Sequence, residues 1–140
     1  MNSFKELEVW KACRELRILI WKIAKTFPPE EKYRLTDQMI RASRSATTQI
    51  AEGYGRFHFQ ENIQFCRISR GSLCELIDHL TVAFDSEYIN DQEYENLDQK
   101  TVKCIQILNG YINYLVKAKD KYAGNQTTEP EEYYRTNTEP

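Results

Sequence analysis

Apolar positions recur every three or four residues through most of this chain, the period of a helix that buries one stripe and leaves the rest to water. The first run is Val9, Cys13, Leu16, Ile20, Ile23 and Phe27. Pro28-Pro29 stops it, because proline has no N–H for the next helical turn, so the spacing predicts a first helix over 4–27. The pattern resumes at Leu35, Met39, Ala42, Ala46, Ile50 and Gly53, a second helix over 34–54 whose buried stripe is rich in small residues. Small side chains let helix axes approach, which predicts a central place for this helix. Cys66, Ser69, Leu73, Leu76, Leu80 and Ala83 predict a third helix over 59–86. Tyr94, Leu97, Thr101, Ile105, Leu108, Ile112 and Leu115 predict a fourth over 91–122. No segment alternates with the period of two that a half-buried strand requires. Four long helices with short connections predict an all-α fold, an antiparallel up-down-up-down four-helix bundle over 1–122.

The punctuation between helices adds detail. Gly53 and Gly55 bracket Tyr54 where the second helix should end, which predicts a left-handed C-cap there. His58 precedes the third helix at a position better suited to serine, so Glu61 lacks a capping-box partner and this helix start is expected to be weak. Gly71 falls in the middle of the third helix, where glycine costs roughly 1 kcal/mol relative to alanine, and so predicts a close backbone approach. From 123 onward AGNQTTEPEEYYRTNTEP has no helical period and is rich in Thr, Glu and Pro. It reads as a disordered acidic tail over 123–140, with Tyr133-Tyr134 as its one docking candidate.

At 140 residues the chain is long enough for one domain with a real core. Its longest aliphatic and aromatic run, Ile18 to Trp21, falls far short of the roughly 20 apolar residues of a membrane helix. Lys5, Glu6 and Glu8 stand where a signal peptide would be apolar, so a soluble, cytoplasmic protein is expected. Cys13, Cys66, Cys74 and Cys104 lie within the apolar pattern and form no CxxC pair, reading as buried thiols. His58 and His79 share no ligand-spaced cluster with them, so neither a metal nor a cofactor is expected. The net charge of −2 hides an asymmetry: 11 Lys/Arg against 7 Asp/Glu over 1–57, 7 against 10 over 58–122, and 1 against 4 beyond. Any basic surface is therefore confined to one face.

Three polar motifs interrupt the apolar pattern: Arg-Ala-Ser-Arg-Ser at 41–45, Ile-Ala-Glu-Gly-Tyr-Gly-Arg at 50–56 and Gly-Ser-Leu-Cys-Glu at 71–75. They resemble the successive motifs of the four-helix-bundle family encoded by intervening sequences of bacterial 23S rRNA genes. That family is also called S23 ribosomal protein, and it includes the accessory variability proteins of diversity-generating retroelements. The resemblance carries over to Arg41, Ala42, Ser45, Ile50, Ala51, Glu52, Gly53, Gly55, Arg56, Gly71, Ser72 and Glu75, as structural or interface positions. The chain departs from the pattern at Gln49, commonly asparagine, and at Ala46, commonly a larger aliphatic that would fill the core better. The resemblance also implies ring-shaped homo-oligomers, commonly pentamers.

Arg34, Arg41, Arg44 and Arg56 are the candidate nucleic-acid contacts, with Arg41, Arg44 and Thr48 at i, i+3 and i+7 along the second helix. Arginine suits phosphate because its planar fork bonds two oxygens and stays charged. The same stripe also fits a solvated or intersubunit face, with Asp37 answering Arg41 and Arg44. Aromatics beyond the needs of a minimal core, Trp10, Trp21, Tyr54, Phe57 and Phe59, suit base stacking or a subunit contact. Ser72 and Glu75 have no histidine or oxyanion-hole loop to complete a catalytic site, and Glu75 is expected to be held by an arginine of the second helix. The sequence thus suggests a non-catalytic oligomeric scaffold that binds RNA, DNA or protein. The alternative is an accessory subunit that holds a retroelement reverse transcriptase and its RNA. Truncation after Tyr122 is expected to leave the thermal unfolding midpoint nearly unchanged, because the removed segment has no apolar period to bury; a large drop in a melting experiment would show that it docks.

Overall fold

The computed structural model describes residues 3–122, which contain four α-helices and no strand. The tail and the docking candidate at Tyr133-Tyr134 lie outside the described residues. The helices are α1 (Glu8–Ala24), α2 (Leu35–Gly55), α3 (Phe59–Asp85) and α4 (Asp91–Lys121). Short 3₁₀ turns at Phe4–Glu6 and Pro29–Glu31 precede α1 and α2, and the first helix starts four residues later and ends three earlier than the expected span 4–27. Leu7 and Phe27 are buried just outside its two ends, and Phe27 carries the apolar period past the end of the helix.

Cross-helix hydrogen bonds give the topology. Thr47 on α2 meets Arg17 on α1, while Thr36 bonds to Ala24. Ser69 on α3 meets Ala46 on α2, Thr81 on α3 meets Tyr94 on α4, and Lys119 near the end of α4 reaches Gln60. Each pair of neighbours therefore runs antiparallel, up-down-up-down. The α2–α3 contact is the most extensive and the α1–α4 contact the least. Small residues on α2 explain the first.

The close approach lies at Gly53. A methyl group there would meet Asn62 Oδ1 at 2.8 Å and Phe65 Cβ at 2.9 Å. Around Gly71, in contrast, nothing lies within 4 Å and the residue is exposed. The mid-helix glycine thus faces water, because the α3 stripe that meets its neighbours runs through Ser69 and Leu73 on either side of it. Neither Gly53 nor Gly55 forms a left-handed cap either: α2 runs on through both, and the positive φ falls on Phe57 at 53°. His58 indeed gives α3 no side-chain cap, whereas Asn90 and Glu93 form a full capping box at α4, with bonds of 2.8 and 2.9 Å.

Two polar links tie the helices at opposite ends. Asn62 Nδ2 donates to Tyr111 Oη at 3.2 Å and Cys66 Sγ donates to Asn62 Oδ1 at 3.5 Å, with all three side chains inside the core. Burial pushes the Tyr111 hydroxyl well above its ordinary range. At the other end Tyr88 Oη donates to Glu31 Oε2 at 2.8 Å, joining the α3–α4 turn to the α1–α2 turn.

The two glycines are expected to respond in opposite senses. Gly53→Ala should destabilise by about 1–3 kcal/mol through overpacking, and Gly71→Ala should stabilise by about 0.5–1 kcal/mol through helix propensity. Urea unfolding of both variants checks this: midpoints moving the same way would be incompatible with the contrast.

Candidate functional site

The arginines marked by the sequence do not act as one stripe. Arg34 caps α2 with a non-helical backbone, φ −121° and ψ −110°, which takes it out of the repeat that would align it with Arg41. Arg41 Nε lies 2.9 Å from Asp37 Oδ2, and Arg56 Nη2 lies 3.1 Å from Glu52 Oε1, each one turn along α2. The Arg56 guanidinium also sits 5.1 Å from the centre of the Phe65 ring. Arg44 is exposed, and among the described residues no carboxylate is within ion-pair distance of it. Asp37 thus answers Arg41 and leaves Arg44 open.

Half of the twelve motif residues serve helix packing and the other half are exposed. Ala42, Ile50 and Gly53 are buried, Ala51 is half-buried, and Gly55 is exposed beside Arg56. Ser72 Oγ donates to Ser45 Oγ at 2.9 Å, and Ser69 Oγ donates to the Ala46 carbonyl at 2.8 Å, both across the α2–α3 seam. Ala46 is buried on this seam, where its carbonyl accepts the Ser69 bond. Glu75 is not held by an arginine of α2; its Oε2 lies 3.1 Å from His79 Nε2, one turn along α3. Arg41 is engaged instead by Asp37, and Arg44 lies one turn from Thr47, on the flank of α2 that meets Arg17 of α1.

Several sequence expectations about exposure also change. Phe59 and Tyr54 are core residues, 0% and 5% exposed, and Trp10 and Phe57 are half-buried, so the α2–α3 turn displays no open aromatic cluster. Cys74 is exposed rather than buried, and the other three cysteines are buried. Among the described residues, no group of three or more His, Cys, Asp or Glu could hold a metal ion. No helix there is long and apolar enough to cross a membrane.

A different cationic surface emerges where α1 meets α2. Arg17 Nη1 donates to Thr47 Oγ1 at 2.9 Å, which fixes the flank of α1 that faces α2. Beside it Arg14, Ile18, Trp21 and Lys25, spaced 4-3-4, form an exposed line. Trp21 is 41% and Ile18 37% exposed, and Lys25 Nζ stands 3.8 Å over the indole ring, a cation–π contact. On α2, Arg44 and Ile40 lie three and seven residues before Thr47, on the flank that Arg17 meets. Arg14, Arg17 and Lys25 on α1 and Arg44 on α2 thus lie along this flank, and Glu15 lines one cavity with Lys100 and Lys103 and another with Trp10 and Arg14. The line could have been found in the sequence as a second period of three and four residues, half a turn from the core stripe. Trp21 was noticeable there, but its cationic neighbours were not.

The fold and motif placement agree with what comparison with known proteins finds. A family described as 23S rRNA-intervening sequence protein matches residues 5–110, which take in all three motifs. The chain belongs to that family. Among solved structures, a crystal structure of a protein of unknown function from the S23 ribosomal protein family of Bacteroides thetaiotaomicron VPI-5482 matches with a TM-score of 0.70. The likeness covers 75% of this chain and 95% of that one at 21% identity, and so supports the fold alone. No curated protein matches the chain. In this member of the family, the packing residues lie on the α2–α3 seam and the open cations on the α1–α2 face.

Stability should separate these two groups. Ser69→Ala is expected to cost about 0.5–1.5 kcal/mol through its lost buried bond to Ala46. Arg41→Ala should stay within about 1 kcal/mol of the parent, because its ion pair is solvent-exposed. Chemical denaturation of the two variants measures both; a larger loss from Arg41→Ala would show that the exposed pair holds the helix.

Proposed function

We propose that this chain is a non-catalytic, self-associating helical scaffold whose α1–α2 face holds the backbone of a single-stranded nucleic acid. The supporting observation is the grouping of Arg14, Arg17, Lys25 and Arg44 on one face, where the nearest α2 carboxylate, Asp37, is engaged by Arg41. Exposed Trp21 and Ile18 lie among them. An indole offers a base a stacking surface while the surrounding cations meet phosphates, the combination used by sequence-tolerant single-strand binders. The net charge of −2 keeps such binding local and sensitive to salt.

Self-association is supported by apolar side chains left open on a different helix. Ile68 and Val82, seven residues on either side of Glu75, are 51% and 41% exposed on α3. Pairing that line with another copy would cover it and leave the α1–α2 face free. The family resemblance makes five copies the expected number. A reverse transcriptase as partner rests on the resemblance alone, with no surface feature that singles it out.

Fluorescence anisotropy with a labelled single-stranded oligonucleotide tests the nucleic-acid reading. Binding should weaken as salt rises, with a logarithmic slope of about 0.7 per phosphate contact. Arg14→Glu with Arg44→Glu should abolish binding, and Arg41→Ala should leave it unchanged. Equal losses from Arg41→Ala and Arg44→Ala would return the contact to the α2 stripe. No binding by the parent protein at low salt would reject nucleic acid as the ligand. Light scattering on the eluting protein tests the other half, for which a monomer at micromolar concentration is the refuting result.

A further inference from the structure

The α1–α4 contact, the least extensive between neighbouring helices, carries a groove. Two cavities of about 270 and 150 Å³ lie along it and share Leu19. Half-buried Ala12, Leu19 and Ile23 from α1 and buried Leu97 from α4 give the groove an apolar lining. Exposed Lys100 and Lys103 line the smaller cavity, and among the described residues no carboxylate is within ion-pair distance of either. A third hollow, lined by Lys5, Lys11 and Arg14, shares Glu15 with the smaller cavity. Cations therefore outnumber acids along the groove.

A segment that fits such a lining must be acidic and carry apolar groups, and the chain holds one beyond Tyr122. Residues 123–140 have four Glu against one Arg, and Glu129, Glu131 and Glu132 stand just before Tyr133-Tyr134. The segment lies outside the described residues, and its point of departure lies within them. Tyr122 packs on Phe59 at the start of α3, ring centres 6.0 Å apart, and Lys119 donates to Gln60 at 2.7 Å. In the up-down-up-down topology this is the end of the bundle at which α1 begins. Lys100 lies 22 residues back from Tyr122, about 33 Å at 1.5 Å per residue of α4. Tyr133 lies 11 residues onward, a reach of about 36–40 Å for an extended chain. The tether is just long enough to bring the tyrosines to the lysines.

We propose that this acidic segment docks in cis on the α1–α4 groove, with Tyr133 and Tyr134 on its apolar lining and Glu131 and Glu132 against Lys100 and Lys103. The charges are complementary, and about 150 Å³ of apolar space accommodates one aromatic ring. Two adjacent rings need no helical period to be buried. A short tether holds its segment at a millimolar effective concentration, so even a weak contact stays occupied. Such a contact adds little to global stability, which is why binding rather than melting tests it.

Carbodiimide cross-linking of the full chain is the experiment, because it joins a carboxylate directly to an amine in contact with it. Peptide mapping should find Glu131 or Glu132 joined to Lys100 or Lys103. These links should disappear when Tyr133→Ser and Tyr134→Ser are combined, and at high salt, where exposed charges are screened. Mixing isotope-labelled with unlabelled chains should give links within one label only. Links between labelled and unlabelled chains would place the segment on a second copy and overturn docking in cis. The proposal is also overturned if Glu131 and Glu132 form no links, if they link to Lys117, Lys119 or Lys121 without Lys100 or Lys103, or if the tyrosine variant links as the parent does.

Discussion

The close approach of α2 to α3 is the constraint on which the rest of this bundle depends. It is set where Gly53 lies against Asn62 and Phe65, too near for any added carbon. Once the helix backbones are that close, short hydroxyls can span the gap, and Ser69 reaches the Ala46 carbonyl while Ser72 reaches Ser45. Longer side chains at these positions would hold the helices apart and leave the same groups without partners. The motif residues on this seam thus divide the work, with Gly53 and Ala42 providing nearness and Ser45 and Ser72 providing register.

The same seam places Asn62, and through it α4. Asn62 is fully buried, so its amide needs partners inside the core. Tyr111 supplies one and Cys66 another, each from a defined helical position. A polar group in a low-dielectric interior tolerates few alternative arrangements, so this small network fixes how α3 and α4 slide relative to each other. The α1–α4 seam is looser. Its contact is the least extensive, and it is flanked by cavities of about 270 and 150 Å³.

Surface charge follows from this geometry rather than from the sum over the chain. A helix brings its own acids and bases into register every fourth residue, which neutralises Arg41 and Arg56 locally. Cations on two neighbouring helices escape that pairing where their own helix offers no carboxylate within ion-pair distance among the described residues. Arg14, Lys25 and Arg44 are such residues, and a net negative protein thereby keeps one open basic face.

The number of helices, their type and nearly all their boundaries were legible in the sequence, because a buried helical stripe must repeat every three to four residues wherever it packs. The weak start of α3 at His58 was legible for a similarly local reason: a cap is a contact between residues three apart. The motif positions could be found, but not what they touch. Whether Gly53 or Gly71 lies at the close approach depends on which side of its helix meets a neighbour, and a one-residue rotation reverses the answer. The partner of Glu75, the exposure of Cys74 and the grouping of cations on the α1–α2 flank were likewise decided only by tertiary structure. Each joins or separates residues by distances that depend on how whole helices are turned, and no local spacing along the chain encodes that rotation.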